Sequence, residues 1–312
     1  MKNKLIIWLL IVILMVTIIN SISASFTISL NKIIYVDDDN TEGPWDGRQT
    51  YPFCRIQDAV DNASSEDLVF VYDGLYLENV FIDIPLTLQG IDKNTTIIDG
   101  NGIKDCIYLS SKADGTIIKG FTIQHAGNNS GGGFFDEGID IHASNTIIYN
   151  NIITDHQNNG IWLWCSNNNN ISYNIIKNNH RAGIEANDLR YSTIYRNQFT
   201  KNYEWAVMLH IDGISIDNYI IENTFINNDY KGMCLARQSG NFILRNNFIN
   251  NSGGHARSDF TFLSHSSSYT NTWNENYWDD WTNQRPRRIS GILSFDIDWN
   301  PVDVPYLFNG GE

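Results

Sequence analysis

Asp140, His180, Glu185 and His210, four side chains able to move protons, fall in one stretch that also holds His142, Trp162, Trp164, Arg181 and Tyr203. Carboxylates and imidazoles are the usual general acids and bases. Indoles flanked by such groups can stack on sugar rings. The chemistry open to this set is hydrolysis, β-elimination or epimerisation of a polysaccharide. In hydrolysis Asp140 and Glu185 would share the acid and base roles. At a uronate, His180, His210 or Tyr203 would act as base and acid while Arg181 neutralises the sugar carboxylate. The same residues could equally flank a passively bound sugar.

Such residues work together only if repeating elements align them. Five segments do so: GIDIH at 138 to 142, GIWLW at 160 to 164, GIEAN at 183 to 187, AVMLH at 206 to 210 and GMCLA at 232 to 236. In a strand, successive side chains point to opposite faces. Ile139 and Ile141, Ile161 and Leu163, Ile184 and Ala186, Val207 and Leu209 are therefore assigned to a core. One outward column then reads Asp140, Trp162, Glu185, Met208, Cys234, and its neighbour reads His142, Trp164, Asn187, His210, Ala236. Asp140 and Glu185 stand two coils apart, about 9.6 Å at about 4.8 Å per coil, near the upper end of the roughly 6.5–9.5 Å carboxyl separation of inverting glycosidases. The preceding turns place His156, His180 and Tyr203 along the same border. His142 and His210, about 14 Å apart by the same spacing, cannot share a metal, and His156 with His180 lacks a firm third ligand, so no metal site is assigned. Two exposed tryptophans side by side are costly unless something covers them. Either a ligand does so, or the Gly-rich insertion at 126 to 137 with Phe134 and Phe135 folds over them.

The elements belong to a repeat. An apolar residue, a marker asparagine and a second apolar strand recur in IIYNNIITDH at 147, ISYNIIKNN at 171, IYRNQFTKN at 194, IIENTFINN at 220 and ILRNNFINN at 243. The markers are Asn150, Asn174, Asn197, Asn223 and Asn246. Weaker copies are IIKGFTI at 117 and WNENYW at 273. No unit has room for a helix, and no leucine ladder is present. The expected fold is all-β, a single-stranded right-handed parallel β-helix of about seven coils with a short N-terminal capping helix. The markers are read as left-handed turn residues that bond their own backbone and stack into a ladder. In so Asn-rich a chain the glycosylation sequons carry little weight. Ile56, Ala59, Val60 and Ala63 at helical spacing form the cap. Tyr277, Trp278, Trp281 and Trp299 are expected to close the other end.

Lys2 and Lys4 precede an apolar run from Leu5 to Ile19 and a small polar stretch, the layout of a signal peptide or an uncleaved anchor over 1–25. A β-helix domain at 33–305 follows. The net charge of −14, with no run among the 21 basic residues, argues against nucleic acid. Membrane contact is expected only through the N-terminal segment if it is uncleaved. Cys54, Cys106, Cys165 and Cys234 form no CxxC, and their pairing is open. No motif calls for a cofactor, although Ca²⁺ could help hold an acidic glycan.

The stretch YVDDDNTEGPWDGRQTYPFCRIQDAVDNASSEDLVFVYDGLYLENV, the GFTI coil, the Asn-marked coils and the close NYWDDW with FDIDWNPVDVPY resemble right-handed β-helix proteins of the pectin-lyase-like superfamily. The resemblance is to the branch of periplasmic NosD-type proteins and carbohydrate-binding and sugar-hydrolase (CASH) domains, and covers nearly everything after residue 33. It implies a secreted or cell-surface monomer that binds a polysaccharide or cell-envelope glycan and processes it as a lyase, hydrolase or epimerase. A non-catalytic surface protein, or an accessory factor for an exported metalloenzyme, are the other roles it implies. The chain departs from the pattern in lacking a hydrolase-like NTD or paired DD motif in the middle coils and a lyase set of Ca²⁺-binding carboxylates. Asp37, Asp38 and Asp39 read as a solvated turn. The Met and His enrichment that soft copper ligation would call for is absent.

Overall fold

The computed structural model describes residues 31–129, 135–259, 270–282 and 286–308. The segment 1–25 and Phe134 lie outside them. From Ile33 onward the chain is one compact unit of short strands in three sheets of twelve, eight and nine strands. Neighbouring strands pair in parallel throughout, except Arg287–Arg288 against Ile297–Asp298. Each sheet collects one strand per coil, as a parallel β-helix requires. Among the described residues no helix is long and apolar enough to cross a membrane.

The nine-stranded sheet gives nine coils rather than seven. The two coils that escaped the count hold the strands Gly74–Leu77 and Thr96–Asp99, whose corners do not carry the apolar–Asn–apolar marker. The coil at 117–124, counted as a weaker copy, turns instead at Gly120 in the left-handed region followed by buried Phe121. Alternation sends one side chain of each short strand to the axis, where like sits on like. Ile148, Ile171, Ile194, Ile220 and Ile243 form one column. Phe199, Phe225, Phe248 and Trp278 stack at 5.1, 4.8 and 4.3 Å between ring centres. Each such buried side chain contributes about 1.5–3 kcal/mol.

Asparagines hold the corners, although not as the repeat suggested. The stacked members are Asn151, Asn174, Asn197, Asn223, Asn246 and Asn276. At each step the backbone N–H and side-chain amide of one coil donate to Oδ1 of the next, as from Asn174 to Asn197 at 2.9 and 3.0 Å. The same amide reaches back to a carbonyl of the coil before, as from Asn174 to Ile148 at 2.8 Å. Each asparagine thus ties three coils, and Asn223 alone of the six also bonds the backbone of its own corner, at Ile221 O (3.1 Å). The left-handed residue is the one before it: Asn150, Tyr173, Arg196, Glu222 and Arg245, with φ of 52–58°. The first marker, Asn150, is therefore the turn residue, and Asn151 is the ladder. Two further stacks run through Asn179, Asn202, Asn228 and Asn251, and through Asn169, Ser192, Asn218, Asn241 and Asn271.

Because at each step the backbone N–H and one amide proton point toward the C-terminal end, the last coil needs acceptors for them, and aspartates supply them. Asp298 Oδ2 takes the backbone and side-chain N–H of Asn276 at 3.1 Å and the indole N–H of Trp278 at 3.0 Å. Asp296 does the same for Asn271 and Trp273. Trp273 and Trp278 are buried there and Trp281 packs partly against them, but Trp299 is 63% exposed and closes nothing. At the other end the helix Ile56–Asp61 buries Ile56, Ala59 and Val60 over the first coil. Its first N–H groups are met by the Glu78 carboxylate at 2.8 and 3.0 Å. Asp37 accepts the Asp39 N–H of its own turn, whereas Asp38 accepts the N–H of Leu75 in the strand Gly74–Leu77. All four cysteines are free.

Candidate functional site

The second strand of each coil builds one wall. Register pairs Asp140 with Trp162, Trp162 with Glu185, Glu185 with Met208 and Met208 with Cys234. The intervening apolar residues, from Ile139 to Leu209, are fully buried. In the neighbouring column Trp164 pairs with Asn187. A cleft of about 470 Å³ opens on this wall and gathers Asp140, His142, Trp162, Trp164, Arg181, Glu185 and His210.

His180 and Tyr203 do not enter it. They line a separate shallow depression with Asp155, Lys201 and Asp229. His156 leaves the border altogether: it is fully buried, its Nδ1 accepts the Ala126 N–H at 3.1 Å, and burial pulls its pKa down to about 3. The turns are one residue out of the alignment expected of them. His156 stacks on Asn179, at the ladder position, and the one-residue shift leaves His180 outside.

The indoles of Trp162 and Trp164 lie 5.9 Å apart at 29°, and Trp164 is 43% exposed. The described residues of the insertion, 126–129 and 135–137, leave it open. The insertion's neck is closed by Asn129 and Asp136, whose backbone N–H groups bond Asp136 Oδ2 at 2.8 Å and Asn129 O at 3.2 Å. Phe135 walls the cleft, its ring 4.5 Å from the Arg181 guanidinium.

The floor is acidic. Glu185, 2% exposed, lies between Arg181 Nη2 at 3.3 Å and His210 Nε2 at 3.9 Å. Burial raises its pKa, and Arg181 and then His210 oppose the rise. The approach of Arg181 is too oblique for a hydrogen bond, so among the described residues Glu185 Oε2 has no donor. Asp140 Oδ1 is left the same way beside His142 Nε2 at 3.2 Å, although the carboxylate still raises the His142 pKa.

Two acids of this floor escaped the sequence reading. Glu137, 2% exposed, accepts the Asn159 backbone N–H at 2.7 Å and its side-chain amide at 3.1 Å, and burial lifts its pKa to about 8. Asp105 accepts the Glu137 N–H at 2.6 Å and is lifted by burial to about 7. The signal was a column two residues before each strand, reading Asp105, Glu137, Asn159, Ala182. Glu137 was hidden at the end of the Gly-rich insertion.

Among the described residues, the only group of three His, Cys, Asp or Glu ligands with donor atoms within 4.8 Å of one another is His255, Asp279 and Asp280. Arg287 already pairs with Asp280 there.

A parallel β-helix with a cleft on one sheet is the architecture of the pectin-lyase-like proteins. It is similar to the crystal structures of pectate lyase Pel9A (TM-score 0.59, 14% identity, 89% of this chain and 80% of that one) and of alginate lyase from Paenibacillus sp. str. FPU-7 (0.56, 13%, 77% and 88%). It is similar also to the catalytic unit of the GH87 α-1,3-glucanase of Streptomyces thermodiastaticus strain HF3-3 (0.51, 15%, 80% and 47%). At these identities the likeness is one of fold. Within that class the chain belongs to the NosD family, whose model, described as periplasmic copper-binding protein (NosD), matches residues 60–283. Comparison with curated proteins finds no match.

The donors present do not fit a soft copper centre, which selects thiolate and thioether ligands. Met233 is fully buried, and Cys234, the register partner of Met208, is buried with its thiol pKa pushed up to about 12. The His255 group offers two carboxylates and one imidazole, hard donors already neutralised by Arg287.

Proposed function

We propose that this is an extracytoplasmic β-helix protein that binds a polysaccharide across the face from Asp140 to His210 and hydrolyses it there. The observation that carries the reading is the open Trp162–Trp164 pair, set in a cleft between two carboxyl groups of one column. Glu185, whose pKa burial raises, suits a general acid held near the leaving oxygen. Asp140 beside His142 would activate water from the far side of Trp162, about 9.6 Å away at the spacing of two coils, close to the inverting geometry. Hydrolysis is preferred to elimination or epimerisation because the one cleft arginine is engaged by Glu185 and Glu204 at 3.3 and 3.7 Å, and because His180 and Tyr203 lie outside. The fold relatives named for pectate, alginate and α-1,3-glucan support a glycan ligand, and the periplasmic family supports export.

The test is incubation of the protein with a panel of polysaccharides, reading new reducing ends and binding in parallel. Glu185→Gln and Asp140→Asn should abolish turnover and spare binding of neutral oligosaccharides, whereas Trp162→Ala should weaken both. Binding without new reducing ends would leave a glycan-binding surface protein, the second reading. That reading is favoured by the Arg181–Glu185 ion pair, which opposes protonation of the carboxyl.

A further inference from the structure

Four carboxyl groups line the cleft, those of Glu137, Asp140, Glu185 and Asp212, against one guanidinium, that of Arg181. The arginine is spoken for by Glu185, Glu204 and the Phe135 ring. The imidazoles are engaged as well, His142 by Asp140 at 3.2 Å and His210 by Asp212 at 3.2 Å. Asp105 adds a further acid behind Glu137. Two oxygens in this wall, Glu185 Oε2 and Asp140 Oδ1, are buried and make no well-directed hydrogen bond among the described residues, their nearest cationic groups being Arg181 Nη2 at 3.3 Å and His142 Nε2 at 3.2 Å, and Glu185 as a whole is 2% exposed. A buried carboxylate oxygen without a donor is costly. An anionic sugar would add charge to a site that already has too much of one sign. A compact metal ion is not what the arrangement suits either, because the cleft carboxylates do not converge as a ligand group. What the two orphan oxygens have between them is an indole face, Trp162, the register partner of both residues. Carboxylates around an aromatic face are the recognition chemistry of an ammonium group, which donates in three directions and is drawn to the ring.

We propose that the cleft takes an amino sugar whose free amino group is protonated, its ammonium held by Glu185 beside Trp162, with Asp140 adding attraction from the far side of the indole, and its ring stacked on the Trp162–Trp164 pair. This rests on the glycan reading above and names its substrate class. Met208 and Cys234, the next residues of the column, offer no charge to the ligand, so the ammonium site lies at the Asp140–Glu185 end.

The test is calorimetric titration of the full-length protein with three tetramers: glucosamine, N-acetylglucosamine and galacturonic acid. The glucosamine tetramer should bind at least ten-fold more tightly than its acetylated counterpart, lose affinity with added salt, and leave the galacturonate tetramer without measurable binding. Glu185→Gln should bring the two hexosamine affinities within two-fold of each other. Asp140→Asn should narrow the gap in the same direction, and serves if the first variant does not fold. Equal affinity for the acetylated and free tetramers, with binding still abolished by Trp162→Ala, would overturn the amino-sugar assignment and leave the glycan cleft standing. Preference for galacturonate would overturn it also. Loss of binding to every glycan offered, neutral glucan oligomers included, would overturn both.

Discussion

Glu137 grips Asn159 twice, taking the backbone N–H on Oε2 at 2.7 Å and the side-chain amide on Oε1 at 3.1 Å. The residues sit one coil apart, and Asn159 in turn accepts the Ala182 N–H at 2.9 Å, so the grip orders the cleft floor over three coils. Burial nonetheless favours the protonated form of the acid, with Glu185 and Asp140 nearby adding to the effect.

The first prediction concerns pH. The folded pKa of Glu137, about 8, stands above its unfolded value near 4.5. Its contribution to stability is therefore fully present below about pH 4.5 and is lost as pH rises through about 8. Glu137→Gln keeps a neutral side chain at every pH. Thermal melts of the two proteins should nearly coincide at pH 5, and the variant should gain on the parent between pH 6 and 9. A gap that does not change with pH would show that Glu137 is not the titrating group. Asp105, raised to about 7, contributes a loss in the same direction that the variant retains.

A second prediction separates two adjacent asparagines. Asn151 bonds Ile118 O and Asn174 Oδ1 and accepts the Phe121 N–H, all buried. Its replacement by alanine should cost on the order of 3 kcal/mol in chemical denaturation, because several buried partners are left unpaired. Asn150 has φ of 54° and its one side-chain bond is to Lys93. Asn150→Gly should change stability by less than about 0.5 kcal/mol.

Ligand binding should divide the tryptophans by position. Trp162→Ala should reduce glycan affinity by about 1–3 kcal/mol, the range for hot-spot aromatic residues. Trp299→Ala, at an exposed position 63% open to solvent and far along the chain from the cleft, should leave affinity unchanged in the same titration.

Thiol labelling of the native protein gives a fourth check. Cys165 is exposed and Cys54 partly so, whereas Cys106 and Cys234 are buried with thiol pKa values pushed well up by desolvation. Mass spectrometry should find the first two modified and the last two modified only after unfolding. Early labelling of Cys234 would mean that the wall beyond Met208 opens.

Much of this architecture was legible because its period is short. Alternation in GIWLW and GIEAN was enough to put Trp162 and Glu185 in one column, and the register agrees. What escaped depended on a single residue of phase. A strand has a period of two, so its facing survives small errors in the turns around it, whereas a corner has no period to correct it. That is why His156 was expected at the border and is buried at the ladder position, and why Asn150 stood in for Asn151. Glu137 and Asp105 were missed for a different reason. Their role comes from burial against neighbouring coils, and burial at a strand entry shows only as a column two residues ahead of each strand, which emerges once the strands are in register.

The corner ladders have an arithmetic of their own. In the ladder Asn151, Asn174, Asn197, Asn223, Asn246 each asparagine hands its backbone N–H and one amide proton to an asparagine one coil further on, and Asp298 ends the series at Asn276, as Asp296 does at Asn271. A coil in the middle of the stack is therefore interchangeable with its neighbours, while the last coil is not. The length of the stack is thus set where the two aspartates stand, beyond the coils from Asp140 to Asp212 that build the cleft.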